Sequence, residues 1–315
     1  MKRLFSLSIA VLTLLLCCVS ALAAESSSPE QELDTDSDIY KKTALFVGDS
    51  ICEASNEWGT GKIGWAGRIM SLNKMKGFNQ AKSGASISDC RGENTVINQL
   101  KAQLKNKDEF DYVIMHGGVN DAWDEAPVGV ITEGFDAKLD TATFAGGLEA
   151  TFKYAKQNFK NAYFGYIINF SLPAAKYGKL SDMSEYFTVA KQICEKWEIP
   201  YLDLYFNDEF NNKVMMTRSL KYLKDYIHPN PDGYDVLTPY INDWMKTIKS
   251  ETEKSSSETS VTEETDITVS AVSEAKTEKS GNGETVIYIV CGIAIIAAAA
   301  VIFITLKKDK KGKNQ

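Results

Sequence analysis

The sequence predicts an α/β fold in which a five-stranded parallel sheet is covered by helices on both faces. Three observations lead there. Short apolar, β-prone runs alternate with longer runs of helical periodicity. Parallel neighbours need crossovers, and the helical runs supply them. Small polar residues follow the apolar runs, at the strand ends where sheets of this kind gather their sites.

The first strand is expected at Thr43 to Val47, followed by a helix near 64–75. A brief second strand lies near Phe78 to Ala81, then a helix near 93–106 and a third strand at Tyr112 to Met115. The helix expected over 142–159 carries Phe144, Leu148, Phe152, Ala155 and Phe159 at helical spacing, enough to cover one sheet face. A fourth strand is expected at Ala162 to Phe170, a helix over 182–197 and a fifth strand at Ile199 to Leu204. The last helix, about 234–249, follows Asp232 and Gly233, and Pro239 should kink it or confine its regular part to the residues beyond.

The ends of the chain carry different signals. Lys2 and Arg3, the apolar run from Leu4 to Val19 and the small residues Ala21, Ala23 and Ala24 predict a secretory signal peptide over 1–24. Cys17 and Cys18 suggest a lipoprotein signal instead, but bulky Leu16 stands where such signals want a small residue. Residues 25–40 and 251–284 are rich in Ser, Thr and Glu and read as disordered linker and stalk. Val286 to Leu306 lacks charge and is long enough to span a bilayer, so 285–306 is predicted as a transmembrane helix. The lysine-rich tail, 307–315, should stay cytoplasmic, which leaves the domain at 41–250 facing outward on the cell membrane.

Charge and cysteine usage exclude several functions. The formal net charge is −7; removing +2 at the signal and +4 at the tail leaves −13 for residues 25–306. That balance excludes a nucleic-acid partner, which would need clustered Lys and Arg. Cys52, Cys90 and Cys194 would remain outside the membrane, an odd number that does not describe a disulfide framework. Buried free thiols are expected, with a Cys52–Cys90 bridge as the alternative. With two histidines and no CxxC pair, neither a metal site nor a cofactor is expected.

The strand ends hold the chemistry. Gly48, Asp49 and Ser50 follow the first strand, Ser83 and Gly84 the second, and His116 to Asp121 (HGGVND) the third; Asp225-Tyr226-Ile227-His228-Pro229 follows the fifth. These residues suit acyl transfer, where a serine needs a base, the base an orienting carboxylate and the oxyanion preorganised donors. Ser50 is the candidate nucleophile, His228 the base and Asp225 its orienter. The Ser50 N–H, the Gly84 N–H and the Asn120 side-chain amide are candidate oxyanion donors.

GDS at 48–50, the glycine of NQAKSGAS at 79–86, GVND at 118–121 and DYIH at 225–228 resemble, in order, the four blocks of the SGNH (GDSL-type) hydrolases. The resemblance covers 41–250. It implies a flavodoxin-like three-layer α/β/α sandwich and a serine carboxylesterase, with Ser50, Gly84, Asn120 and His228 as the naming residues and Asp225 as triad acid. Cys52 departs from the small polar or aliphatic residue expected there. No GxSxG elbow and no phosphate-binding loop competes with this reading.

Asp49 and Asp121 read as structural acceptors of backbone N–H bonds. His116 is a possible substrate contact or a satisfied structural histidine, Trp123 and Trp58 could line a cleft, and Trp65 opens a helix as core. The expected substrate is a short-chain ester, an O-acetyl group on an extracellular or cell-surface carbohydrate, turned over by a monomer. A lipid esterase or lysophospholipase, an acyltransferase and a non-catalytic surface binding module are the alternatives.

Overall fold

The computed structural model describes residues 34–54, 64–173, 182–212 and 219–255. Contacts divide the chain into a unit over 1–260 and a second over 261–315 that lies wholly outside the described residues. The predicted signal peptide, transmembrane segment and basic tail, and Trp58, also lie outside them. No helix among the described residues is long and apolar enough to cross a membrane.

Five strands form one parallel sheet: β1 Thr43–Val47, β2 Lys76–Asn79, β3 Tyr112–His116, β4 Tyr163–Ile168 and β5 Tyr201–Asp203. Their spatial order is β2-β1-β3-β4-β5. The register sets Ala44 opposite both Gly77 and Tyr112, Val113 opposite Phe164 and Ile167 opposite Leu202. The order reverses between β1 and β3, so a crevice opens beyond their carboxyl ends.

The helices that follow the strands are α1 Ser50–Glu53, α2 Trp65–Leu72, α3 Val96–Ala102, α4 Val119–Trp123, α5 Phe144–Asn158, α6 Ser184–Lys196, α7 Asp208–Phe210, α8 Ser219–Tyr222 and α9 Pro231–Met245. Helix α5 packs against α3 and α6, while α2 packs against α9. Successive strand residues point to opposite faces. On β4 the Cα of Gly165 lies against Trp244 and Ile248 on the α9 side, while Tyr166 meets Phe152 of α5 edge-on at 5.6 Å. Both faces are therefore covered, and Phe46 of β1 against Trp65 of α2 seals one of them with a T-shaped pair at 5.5 Å.

Several expectations shift. Strand β2 starts two residues before the expected Phe78; it is an edge strand with Phe78 41% exposed, and buried Ala81 belongs to the loop after it. Helix α9 starts at Pro231, capped by the Asn230 side chain on the Gly233 N–H, and runs through Pro239 instead of being confined to the residues beyond. Pro239 and Asp235 both face solvent, so water can satisfy the carbonyl that the missing N–H would have bonded.

The domain also reaches further than 41–250 at both ends. Ile39, placed in the linker by composition, is fully buried. Residues 248–255 are helical, and Glu253 accepts a hydrogen bond from the Tyr163 hydroxyl. Short polar runs hid one anchoring side chain at each end.

One buried charge ties the helical layer together. Glu149 of α5 is fully buried, paired with Lys196 of α6, and accepts from the Thr132 N–H at 3.0 Å and the Trp197 Nε1–H at 3.1 Å. Burial would raise its carboxyl, but these bonds more than offset burial and hold it below its ordinary value. Glu149→Ala removes the counter-charge of Lys196 and the acceptor of two N–H donors and should lower unfolding free energy by about 3 kcal/mol in chemical denaturation. Because the folded carboxyl lies below the unfolded one, this stabilisation is present above about pH 4.5 and is lost as pH falls through the folded value. The denaturation midpoints of the two proteins should therefore converge in acid, and a gap that stays constant with pH would contradict the assignment.

Candidate active site

The site is built at the reversal point of the sheet. Strand β1 is followed by Gly48, whose N–H and carbonyl are both held at 2.8 Å by the Gln99 side-chain amide. A Cβ at Gly48 would lie 2.7 Å from the His116 carbonyl, so only glycine lets β1 and β3 run this close to their ends. Asp49 then caps α1, accepting from the Ile51 N–H at 2.9 Å, and Ser50 opens the helix. As the first helical residue, Ser50 has an N–H that receives no intrahelical partner.

His228 arrives from the far end of the chain. The loop before α9 is closed by the Lys224 N–H on the His228 carbonyl at 2.9 Å and by the Leu223–Pro229 bridge. Tyr226 at its tip takes a left-handed backbone, φ +68°. That turn brings the Ile227 and His228 N–H groups onto Asp225 Oδ1 at 3.1 and 2.8 Å, while Asp225 Oδ2 lies 2.7 Å from His228 Nδ1. Burial would raise the Asp225 carboxyl, but the bonds from His228 and Ile227 more than offset this and keep it below its ordinary value.

An ionised carboxylate facing Nδ1 makes that nitrogen the donor, leaving Nε2 with its lone pair outward. Ser50 Oγ lies 2.8 Å from His228 Nε2. The hydroxyl can donate to the imidazole, and the imidazole to the carboxylate. Across the core the Tyr234 hydroxyl donates to the Ile51 carbonyl at 3.0 Å, tying α9 to the helix that Ser50 opens.

The candidate oxyanion donors line the other wall. Gly84 has φ +76°, and among the described residues nothing accepts from its N–H or from that of Ser50. Asn120 uses one side-chain N–H on the Ala85 carbonyl at 2.8 Å, which leaves a second. Asp121 accepts from the Ile87 and Ser88 N–H groups, each at 2.8 Å, and so docks α4 onto the Gly84 segment. Its carboxyl is raised by burial against the pull of those bonds.

Ser50, Ser83, Gly84, Arg91, Asn120, Trp123 and His228, with Val119 and Ile227, line an open cleft of about 410 Å³. Trp123 thus stands on the cleft. His116 does not: it is 2% exposed behind the site, with Nε2 3.2 Å from Asn169 Oδ1 and Nδ1 3.5 Å from Asp49 Oδ1. Its place on the last residue of β3 turns the ring into the core, so the substrate-lining role is withdrawn.

Cys52, Cys90 and Cys194 are all free, but Cys90 is exposed where a buried thiol was expected. Burial, with Asp49 and Glu53 nearby, pushes the Cys52 thiol well above its usual range, so it stays protonated and does not compete with Ser50. Gln99 and Tyr234, which hold the backbone around Ser50, had no signal in the sequence beyond ordinary helix positions.

Residues 46–236 match the family described as GDSL-like Lipase/Acylhydrolase. Among solved structures, a protein from Lactobacillus plantarum is 20% identical, over 66% of this chain and 98% of its own, with a TM-score of 0.55. An alpha/beta hydrolase enzyme from the metagenome of Lake Arreo, Spain, is 17% identical over 65% of this chain and 95% of its own, TM-score 0.48. An acetylxylan esterase from Geobacillus stearothermophilus is 18% identical over 65% and 94%, TM-score 0.46. At 20% identity the likeness to the Lactobacillus plantarum protein shows the fold alone. A search of curated proteins gives no match.

The geometry predicts a serine whose reactivity depends on its carboxylate. Asp225→Asn removes the charge that fixes the Nδ1–H tautomer and should slow labelling of Ser50 by a fluorophosphonate about 10³-fold or more. Mass-spectrometric labelling rates check this, and an unchanged rate would remove Asp225 from the relay.

Proposed function

Since the chain belongs to the GDSL-like lipase/acylhydrolase family and hydrolyses ester bonds, we propose that it is a serine esterase working through Ser50, His228 and Asp225. His228 Nε2 takes the Ser50 proton as Oγ attacks the ester carbonyl. The imidazolium, steadied by Asp225, then protonates the leaving alkoxide. Water repeats the cycle on the acyl-enzyme and releases the acid. The Ser50 and Gly84 N–H groups and the Asn120 amide receive the oxyanion, each donor contributing about 3 kcal/mol to the barrier reduction. The reading rests on one observation above others: Ser50 Oγ 2.8 Å from His228 Nε2, with Asp225 2.7 Å behind the ring.

The substrate is a short acyl ester, most plainly an O-acetyl group on a carbohydrate. Supporting this, the cleft is open, and among the described residues its apolar lining is Val119, Trp123 and Ile227, a small apolar surface suited to a short acyl group. Trp123 offers a face on which a sugar ring can stack. The location follows from sequence signals: a signal peptide at 1–24 and a membrane helix at 285–306 would hold the domain outside the cell.

Activity on p-nitrophenyl esters should be highest for acetate and fall with chain length, and acetylated polysaccharide should release acetate. Ser50→Ala should reduce kcat by about 10⁴-fold or more. Turnover that survives Ser50→Ala removes the nucleophile, and rates that climb toward long chains favour a lipid ester instead. Full-length protein should sediment with membranes and lose that association when residues 285–315 are deleted; a full-length protein that stays in the supernatant contradicts the tether.

A further inference from the structure

We propose that Asn94 is a positioning residue for catalysis, holding the Ser83 carbonyl so that the Gly84 N–H points at the reacting oxygen. This inference rests on the reading of Gly84 as an oxyanion donor.

The argument starts from peptide geometry. A trans peptide is planar, so the carbonyl of residue 83 and the N–H of residue 84 point to opposite sides of one rigid unit. Fixing one fixes the other. The Asn94 Nδ2–H donates to the Ser83 carbonyl at 3.0 Å. Arg91 holds the following peptide plane, with Nη1 donating to the Gly84 carbonyl at 3.2 Å. Both planes flanking the Gly84 Cα are thereby clamped at φ +76°.

The clamp is itself anchored to both catalytic walls. Arg91 grips Asp124, at the end of α4, through Nε at 2.6 Å and Nη2 at 3.0 Å, and α4 carries Asn120. Ser83 donates its N–H to Glu53 at 2.7 Å, and Glu53 belongs to the helix that Ser50 opens. Backbone bonds from the Lys82 N–H to the Gly48 carbonyl and from the Ala85 N–H to the Lys82 carbonyl, both at 3.0 Å, close a turn around Ser83 and Gly84, and side chains hold the central peptide of that turn, which these bonds do not engage. Asn94 is absent from the cleft lining and does its work from behind the peptide.

Its own loop does not depend on the amide. The Asn94 carbonyl accepts from the Ser86 N–H at 3.0 Å and its N–H donates to the Arg91 carbonyl at 3.2 Å. An isosteric Asn94→Asp change keeps these bonds, removes the side-chain donor and sets an acceptor against the Ser83 carbonyl.

The test compares Asn94→Asp and Asn94→Ala with the wild type on p-nitrophenyl acetate, with melting temperatures and with inhibition by a boronic acid whose Ser50 adduct mimics the tetrahedral oxyanion. Both variants should lose about 10- to 100-fold in kcat, with KM changed by less than about threefold, since a misaimed donor costs less than the 10²–10³ of a deleted one. Boronate affinity should fall by a similar factor, and the melting temperature should hold. Undiminished kcat in both variants, a loss shared equally by KM, or a loss that tracks unfolded protein in both would overturn the role of Asn94. Failure of the wild type to be labelled at Ser50 would instead overturn the catalytic reading beneath it.

Discussion

A hydrogen bond of 2.8 Å between Ser50 Oγ and His228 Nε2 joins residues 178 positions apart, and the rest of the structure is arranged so that it can form. Such a contact carries little stability by itself. Its value is positional, because proton transfer weakens steeply with small displacements. The two sides reach it by different routes. Ser50 is held by a strand end, a helix start and the Gln99 amide around Gly48; His228 is held by a seven-residue turn whose ends are pinned. Packing of α2 on α9 and the bond from Tyr234 to the Ile51 carbonyl bring those routes together.

The opposite wall of the cleft is assembled with the same economy of backbone. Helix α4 and the Gly84 segment come from different strands, and three contacts join them: Asp121 to the Ile87 and Ser88 N–H groups, Asn120 to the Ala85 carbonyl, and Asp124 to Arg91, which in turn reaches the Gly84 carbonyl. The outcome is a hydroxyl, an imidazole and three amide donors around one open space, with carboxylates kept behind them.

How much of this the sequence revealed follows from periodicity. Strands β1 and β3 are buried on both faces, so their composition marks them, and the functional residues behind them could be placed because sites of this sheet type form at strand ends. The edge strand β2 lacks that signature: one face of Phe78 meets solvent, and the buried Ala81 that suggested the strand lies after it. Pro239 misled because its cost depends on whether the orphaned carbonyl faces water, which composition does not state. His116 and Trp123 sit seven residues apart beside the same glycines, yet one turns into the core and the other onto the cleft; orientation at a strand end decides between them. Asn94, Gln99 and Tyr234 act through single hydrogen bonds to distant backbone, a role with no local pattern.

The most direct measurement is a high-resolution structure of the protein inactivated by a small phosphonate. The account predicts a covalent bond to Ser50 Oγ, with one phosphonyl oxygen within hydrogen-bonding distance of the Ser50 N–H, the Gly84 N–H and Asn120 Nδ2, and His228 still against Asp225. A phosphonyl oxygen turned toward solvent, or an adduct formed on any other side chain, would contradict it.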